Sequence, residues 1–367
     1  MDIATYDHNE RSALATLESW QTSAYFVPTS FEQVRFPTRL AQIGEIRRLL
    51  AGMHGRERID PLIAELNGLR ETDLDRLARA IARYMRWFQT LLPDKRVPVP
   101  LGDFIAQYVA YTKLAGLAPR GRVLEVGAGY GLTTLFAHKD GAIHEYDLIE
   151  VTQSLYVVQA SICASLYGPA FRNHAFAAAP STRIGQLTAR GSGSEALRAY
   201  LMAVPRSFRC NLFPWWEMDV PLAKRYDVIM SHANLAEMPA PVSAYYLGRW
   251  ADALADGGYL LIQDLGHPLM LEHDAVLRAI DAAGFRALVK AKGSVGGKTL
   301  PCWNLLLIAD RHPDYARARS VLDPQVLLAD HPAVRSAFGL DRPAGTTFSV
   351  QDLGERIGAH LSAKGPD

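Results

Sequence analysis

The sequence predicts an α/β protein: a doubly wound, mainly parallel sheet with an antiparallel last strand, a helical region before it and a short extension after it. Three observations carry this. A short apolar run, Val123, Leu124 and Val126, leads into glycines at 127, 129 and 131 and then a helical stretch, 132–138. A second apolar strand, 143–149, ends in an acid, Glu150. Downstream, strand and helix alternate to a fifth strand, and two further strands, 285–291 and 303–309, are joined by a Gly-rich turn instead of a helix. Helical crossovers give parallel neighbours, and a tight connection reverses the chain.

Taken in order, residues 1–38 are mixed and aromatic, with Trp20, Tyr25, Phe26, Phe31 and Phe36 between breaks at Pro28 and Pro37. They read as a segment packed on the rest, or as a lid whose aromatics close over a substrate. Residues 39–116 read as helical. The clearest helix is 73–92, with Thr72 as N-cap, Pro93 as stop and an apolar stripe at Leu74, Leu77, Ile81, Met85, Phe88 and Leu92. Its other face carries Arg76, Arg79, Arg83 and Arg86, which reads as a solvated face rather than an anion site. A helix over 103–117 delivers the chain to the first strand. Thr152 caps a helix through 166, and 167–209 is too long for an ordinary link, so it reads as an insertion with a flexible linker at 191–194 and a short helix at 195–203. Strands follow at 209–213, 226–231 and 258–264, with helices at 242–255 and 271–283. Residues 311–367 read as two short helices with loops. The divisions are 1–116, 117–310 and 311–367.

The glycine turn decides the chemistry. Closely spaced glycines after a strand let the backbone turn sharply and leave no side chain in the way of a ligand. Glu150 lies 19 positions after Gly131, about where a carboxylate meets the ribose hydroxyls of a bound nucleoside. The core is therefore a Rossmann-like, nucleoside-binding βαβ unit. The dinucleotide spacing G-x-G-x-x-G is not met, since Leu132 stands where its third glycine would fall. Instead Glu125, Gly127, Ala128, Gly129 and Gly131 spell E-x-G-x-G-x-G. This resembles the first motif of class I S-adenosylmethionine-dependent methyltransferases. That resemblance implies S-adenosylmethionine as cofactor, held at its methionine part by the glycine loop and at its ribose by Glu150.

A second resemblance is narrower. Residues 226–238, YDVIMSHANLAEM, with Ala-Tyr-Tyr-Leu at 244–247, are similar to the sugar O-methyltransferases of bacterial polysaccharide and natural-product clusters. The likeness spans about 120–265, with an echo at 28–31. This chain departs from that pattern in Glu150, usually Asp, and in Ser231-His232, usually Asn and a small residue.

In an open α/β sheet, ligands sit at the carboxyl ends of the strands. Beyond the glycine loop and Glu150, the ends here are 215–219, 231–234 and 264–267. Trp216 and Glu217 are candidates for the adenine, by stacking and by pairing with its amine, and Ser231 for a further cofactor contact. Methyl transfer to a hydroxyl needs alignment and a base within hydrogen-bond reach. The candidates are His232, Glu237 and, third, His267. No metal is expected: His267 and His273 fit no compact ligand spacing. The 293–299 stretch, GSVGGKT, is one residue short of a phosphate loop and a strand follows it.

Composition limits the partners. A net charge of +1 gives no reason to expect nucleic acid or an anionic membrane. No run of about 18 apolar residues exists, so no membrane span is expected. Cys163, Cys210 and Cys302 are scattered, which fits reduced thiols in a cytoplasm. The reading is a cytoplasmic O-methyltransferase acting on a small-molecule acceptor, a sugar or a hydroxylated natural product. Its rivals are an N- or C-methyltransferase and a catalytically inactive scaffold of the same fold. The apolar surface of 39–116 suggests a homodimer.

Overall fold

The computed structural model describes residues 3–16, 31–32, 36–52, 59–117, 121–138, 143–176, 209–293, 303–345 and 349–363. Trp20, Tyr25 and Phe26, the 191–194 linker and 195–203 helix, most of the 293–299 turn and Cys302 lie outside them.

Strand β1 (Gly121–Val126) is apolar because both of its faces are covered; Val123, Leu124 and Val126 are all buried. It pairs in parallel with β2 (Ile143–Glu150) on one side and β5 (Tyr226–His232) on the other. Beyond β2 lie β4 (Cys210–Pro214) and the short edge strand β3 (Phe171–Asn173), both parallel. Beyond β5 lies β6 (Leu254–Gln263), also parallel. Next comes β8 (Trp303–Ile308), antiparallel to β6 and to β7 (Arg286–Lys292). Two-residue strands β9 (Arg319–Ser320) and β10 (Val326–Leu327) pair with β7. The order β10-β7-β8-β6-β5-β1-β2-β4-β3 is the doubly wound sheet that the alternation predicts, with β8 as its antiparallel strand and the short β9 and β10 running the same way as β8.

Three strands escape the sequence reading. β3, β9 and β10 are too short to show a period of two. β6 starts at Leu254, earlier than predicted, because Leu254 pairs with Tyr226 ahead of Gly257 and Gly258. From β1 the chain builds outward through β2 to β4, then crosses back to place β5 on the other side of β1. The carboxyl ends of β1 and β5 therefore flank a switch point, where a crevice opens.

The helices are α1 (Ile3–Thr16), α2 (Ile46–Gly52), α3 (Ile59–Ala64), α4 (Glu71–Leu91), α5 (Leu101–Leu117), α6 (Leu132–Ala137) and α7 (Gln153–Tyr167). After them come α8 (Asp219–Leu222), α9 (Ala240–Ala253), α10 (His273–Ala282), α11 (Pro332–Ala337) and α12 (Val350–Ser362). The stripe of α4 is buried at Leu74, Leu77, Ile81 and Phe88. Its start is two residues earlier than Thr72 suggests: Arg70 is the N-cap, because the Asp73 carboxylate accepts the Arg70 N–H at 2.7 Å. The arginine face is not simply solvated. Arg83 and Arg86 donate to the carbonyls of Leu135 and His360, in the last turns of α6 and α12, where carbonyls lack helical partners. Arg79 pairs with Asp75, which also accepts from His360.

The helical stripe meets partners within the chain. The large exposed hydrophobics among the described residues are Met270, Leu322, Leu327, Leu340 and Val350, none of them in 39–116. One hydrophobic core runs from Tyr6 through the sheet to Leu353, so the predicted N-terminal region, sheet domain and C-terminal extension share it. Among the described residues no helix is long and apolar enough to cross a membrane.

Candidate functional site

Gly127 turns the chain off the end of β1 at φ +70°, and a side chain there would collide with the Asn234 amide. Asn234 lies beyond the end of β5; its Nδ2 donates to the Val126 carbonyl and its Oδ1 accepts from Ser231 at 2.6 Å. The ends of β1 and β5 are thus laced together at the point where they flank the crevice. Gly129 and Gly131 follow at φ +57° and +80°, and Gly131 leads into α6.

Glu150, at the end of β2, holds this turn from the other side. Its Oε2 accepts the Gly129 N–H at 2.9 Å, and its Oε1 accepts the N–H groups of Val151 at 2.9 Å and Thr152 at 2.8 Å. Burial pushes its carboxyl up to about 7, and those backbone donors oppose the shift. Tyr130, between the last two glycines, donates to Asp103 of α5 at 2.5 Å. The glycine turn is therefore fastened to strands on both sides and to a helix.

These elements enclose a cavity of about 340 Å³. Its walls are the glycine turn, Glu150 to Thr152, the 232–234 segment, and Gln107 of α5; Phe31 and Phe36, their rings 5.6 Å apart, also line it. One hydroxyl on its lining, Tyr246 Oη, is buried without a hydrogen-bond partner; the Thr152 hydroxyl stands beside the Glu150 carboxyl. Buried hydroxyls without partners are costly, so a ligand bearing polar groups fits here better than an apolar one.

His232 lines the cavity, with Nδ1 2.9 Å from Gln107 Nε2. Burial, then the nearby Lys113 ammonium, pushes its imidazole down to about 4, so the ring is neutral near pH 7. Glu237 also lines it, and burial pushes its carboxyl up to about 8. Glu237 lines a second cavity as well, of about 760 Å³, which shares Phe31 and Phe36 and includes Arg48, His267 and Leu269. Among the described residues Glu237 is the carboxyl that borders both cavities, and His267 belongs to the second.

Four candidates from the sequence stand off the lining. Glu125 is fully buried behind the glycine turn, bonded to the hydroxyls of Tyr146 and Thr133. Ser231 is buried and spends its hydroxyl on Asn234. Trp216 packs edge-on against Tyr6 of α1 at 4.9 Å, and neither it nor Glu217 lines the cavity. The tryptophan pair instead anchors α1, whose Glu10 accepts from Trp215 at 3.2 Å. Conversely, Gln107, Asn234, Thr152 and Tyr246 line the cavity without having been singled out as site residues. Asn234 and Tyr246 lie just beyond the end of β5 and in the helix that follows it, a placement available in the sequence. Gln107 sits in an apolar helix, and nothing local marks it.

No family model and no curated protein matches the sequence. Among solved structures, the fold is similar to the glycopeptide N-methyltransferase MtfA complexed with sinefungin, at 16% identity and TM-score 0.34, covering 56% of this chain and 93% of that one. It is also similar to a TehB-like SAM-dependent methyltransferase from Corynebacterium glutamicum, at 11% identity and TM-score 0.36, covering 63% and 98%. A third likeness is to the [4+2]-cyclase SpnF, at 16% identity and TM-score 0.34, covering 76% and 88%.

Proposed function

We propose that the chain is an S-adenosylmethionine-dependent methyltransferase acting on a hydroxyl of a small molecule, a sugar or a hydroxylated natural product. The observation that carries this is the E-x-G-x-G-x-G turn tied by Gly129 N–H to the buried Glu150, at the wall of a cavity lined by the unpartnered Tyr246 hydroxyl. S-adenosylmethionine, when bound, supplies an electrophilic methyl group on a sulfonium whose departure leaves a neutral thioether. The glycine turn offers backbone that a ligand can approach closely, and the lone pairs Glu150 has left after its backbone bonds take the ribose hydroxyls. Tyr246 satisfies its hydroxyl on the same ligand.

The acceptor fits the second cavity, since it adjoins the first and Glu237 borders both. Glu237 removes the acceptor's proton. A carboxyl held near 8 is a far stronger proton acceptor than an ordinary glutamate and is still partly ionised at neutral pH. Phe31 and Phe36, on the lining of both cavities, exclude water from the approach of nucleophile to methyl.

The test is incubation with methyl-labelled S-adenosylmethionine and a panel of alcohols, phenols, amines and carbon acids. Label recovered in an ether, lost in Glu237→Gln, is the expected result. Label recovered on nitrogen or carbon would move the activity to the rival transfers. Cofactor binding with no transfer to any class would reduce the protein to a binding scaffold.

A further inference from the structure

Five polar groups, three of them buried, form a line from the interior of the sheet to the cavity wall. Tyr146 of β2 donates to Glu125 Oε2. Glu125 Oε1 lies 3.2 Å from Thr133 Oγ1 in the first turn of α6. Thr133 Oγ1 lies 2.5 Å from Gln107 Oε1 of α5, and Gln107 Nε2 lies 2.9 Å from His232 Nδ1. Glu125 and Thr133 are fully buried, and only the last two members reach the cavity.

The line has a direction. A threonine hydroxyl has one proton to give, and its shorter contact is to the Gln107 carbonyl oxygen, so the bond between Glu125 and Thr133 is then donated by the protonated Glu125 carboxyl. That places the amide oxygen toward Thr133 and the amide N–H toward the ring, so Nδ1 accepts. The Lys113–Glu65 ion pair, from α5 and the turn after α3, supplies the charges that act on His232, and burial with the Lys113 charge keeps the ring neutral. A neutral imidazole whose Nδ1 accepts carries its single proton on Nε2. The opposite arrangement needs Gln107 turned over, Thr133 donating to Glu125, and the ring proton on Nδ1. A His232 acting as base through Nε2 would require that opposite arrangement.

We propose that Gln107 is a positioning residue that fixes His232 with its proton on Nε2, making the ring a hydrogen-bond donor to an oxygen of the bound ligand and leaving proton removal to Glu237. This rests on the methyl-transfer reading of the cavity for its purpose, but not for its test. The chain is a property of the protein without ligand, and it recruits Glu125 of the glycine motif to set a tautomer 107 positions away in sequence.

The tautomer is read directly by nitrogen NMR of protein labelled in its histidines, with His232→Asn assigning the resonances. In the wild type, Nε2 is expected to be protonated and Nδ1 bare. Gln107→Glu offers an ionised carboxylate that only accepts, so the proton is expected to move to Nδ1. Gln107→Leu offers nothing, and both forms are expected to be populated. A wild-type ring protonated on Nδ1, or a ring unchanged in Gln107→Glu, would overturn the proposal. Titration of the same samples with S-adenosylhomocysteine tests the cofactor reading separately: failure of the wild type to bind it would sink that reading and leave the tautomer result standing.

Discussion

Gly127 is a residue at which a single methyl group does damage in two ways. Its φ of +70° disfavours any L side chain, and the space a Cβ would need is held by Asn234, which cannot withdraw without losing its bond to Val126. Gly127→Ala is expected to destabilise the protein by about 2–3 kcal/mol, measured by urea denaturation. Adding Asn234→Ala should return part of that loss, because the collision goes while the dihedral strain stays. Glu237 makes a different residue-level demand. Only its ionised form accepts a proton, and its carboxyl is held up to about 8, so the rate of transfer should climb as pH rises through that value and then level. Glu237→Gln should cost about 100-fold or more in kcat and flatten that profile. A profile that levels near pH 5 would mean that another group is the base. At this scale the sequence is a good guide where a residue acts on its own neighbours. Glu150 is legible because 19 positions separate it from Gly131, the length of one helix and one strand. Trp216 misleads because its position at a strand end is right while its ring is claimed by Tyr6, from α1 at the far end of the chain.

Between elements, the join of helical region and sheet depends on a buried ion pair. Lys113 of α5 is 3% exposed and donates to Glu65 and to Gln263 of β6, each at 2.7 Å. Glu65 also accepts from Asn304 of β8 at 3.2 Å. Removing one partner strands the other charge in a poorly solvated place. Lys113→Met should therefore cost about 3–5 kcal/mol, measured by chemical denaturation, while Lys113→Met with Glu65→Met should cost clearly less. Equal costs would show that the pair is not coupled. The elements themselves are largely readable, since long apolar strands and the α4 stripe announce their periods. Their ends are less so. α4 begins at Glu71 because Asp73 closes back on Arg70, a preference that competes with the more obvious Thr72. β3 exists because β4 offers it a free edge, not because Phe171–Asn173 has a pattern of its own.

For the whole molecule, two carboxyls buried near the same turn set a dependence on pH. Burial pushes Glu125 and Glu150 from about 4.5 up to about 7. A raised carboxyl binds its proton more tightly in the folded state, so its share of stability is complete below about 4.5 and is lost as pH rises to about 7. Glu125→Gln keeps an acceptor for Tyr146 and removes one of these titrations. Its stability relative to wild type should therefore improve between pH 4.5 and 7, by a denaturation series at fixed ionic strength. A constant difference across that range would show that Glu125 is not so displaced. The cavity at the switch point is proposed to take S-adenosylmethionine with its ribose on Glu150. The most direct test is calorimetric titration of the full chain with S-adenosylhomocysteine, in wild type and in Glu150→Ala. The account expects saturable one-to-one binding, weakened on the order of tenfold or more in the variant, since the ribose hydroxyls lose bonds to a charged group. Folded wild type that takes up no ligand, or a variant that binds equally well, would contradict it.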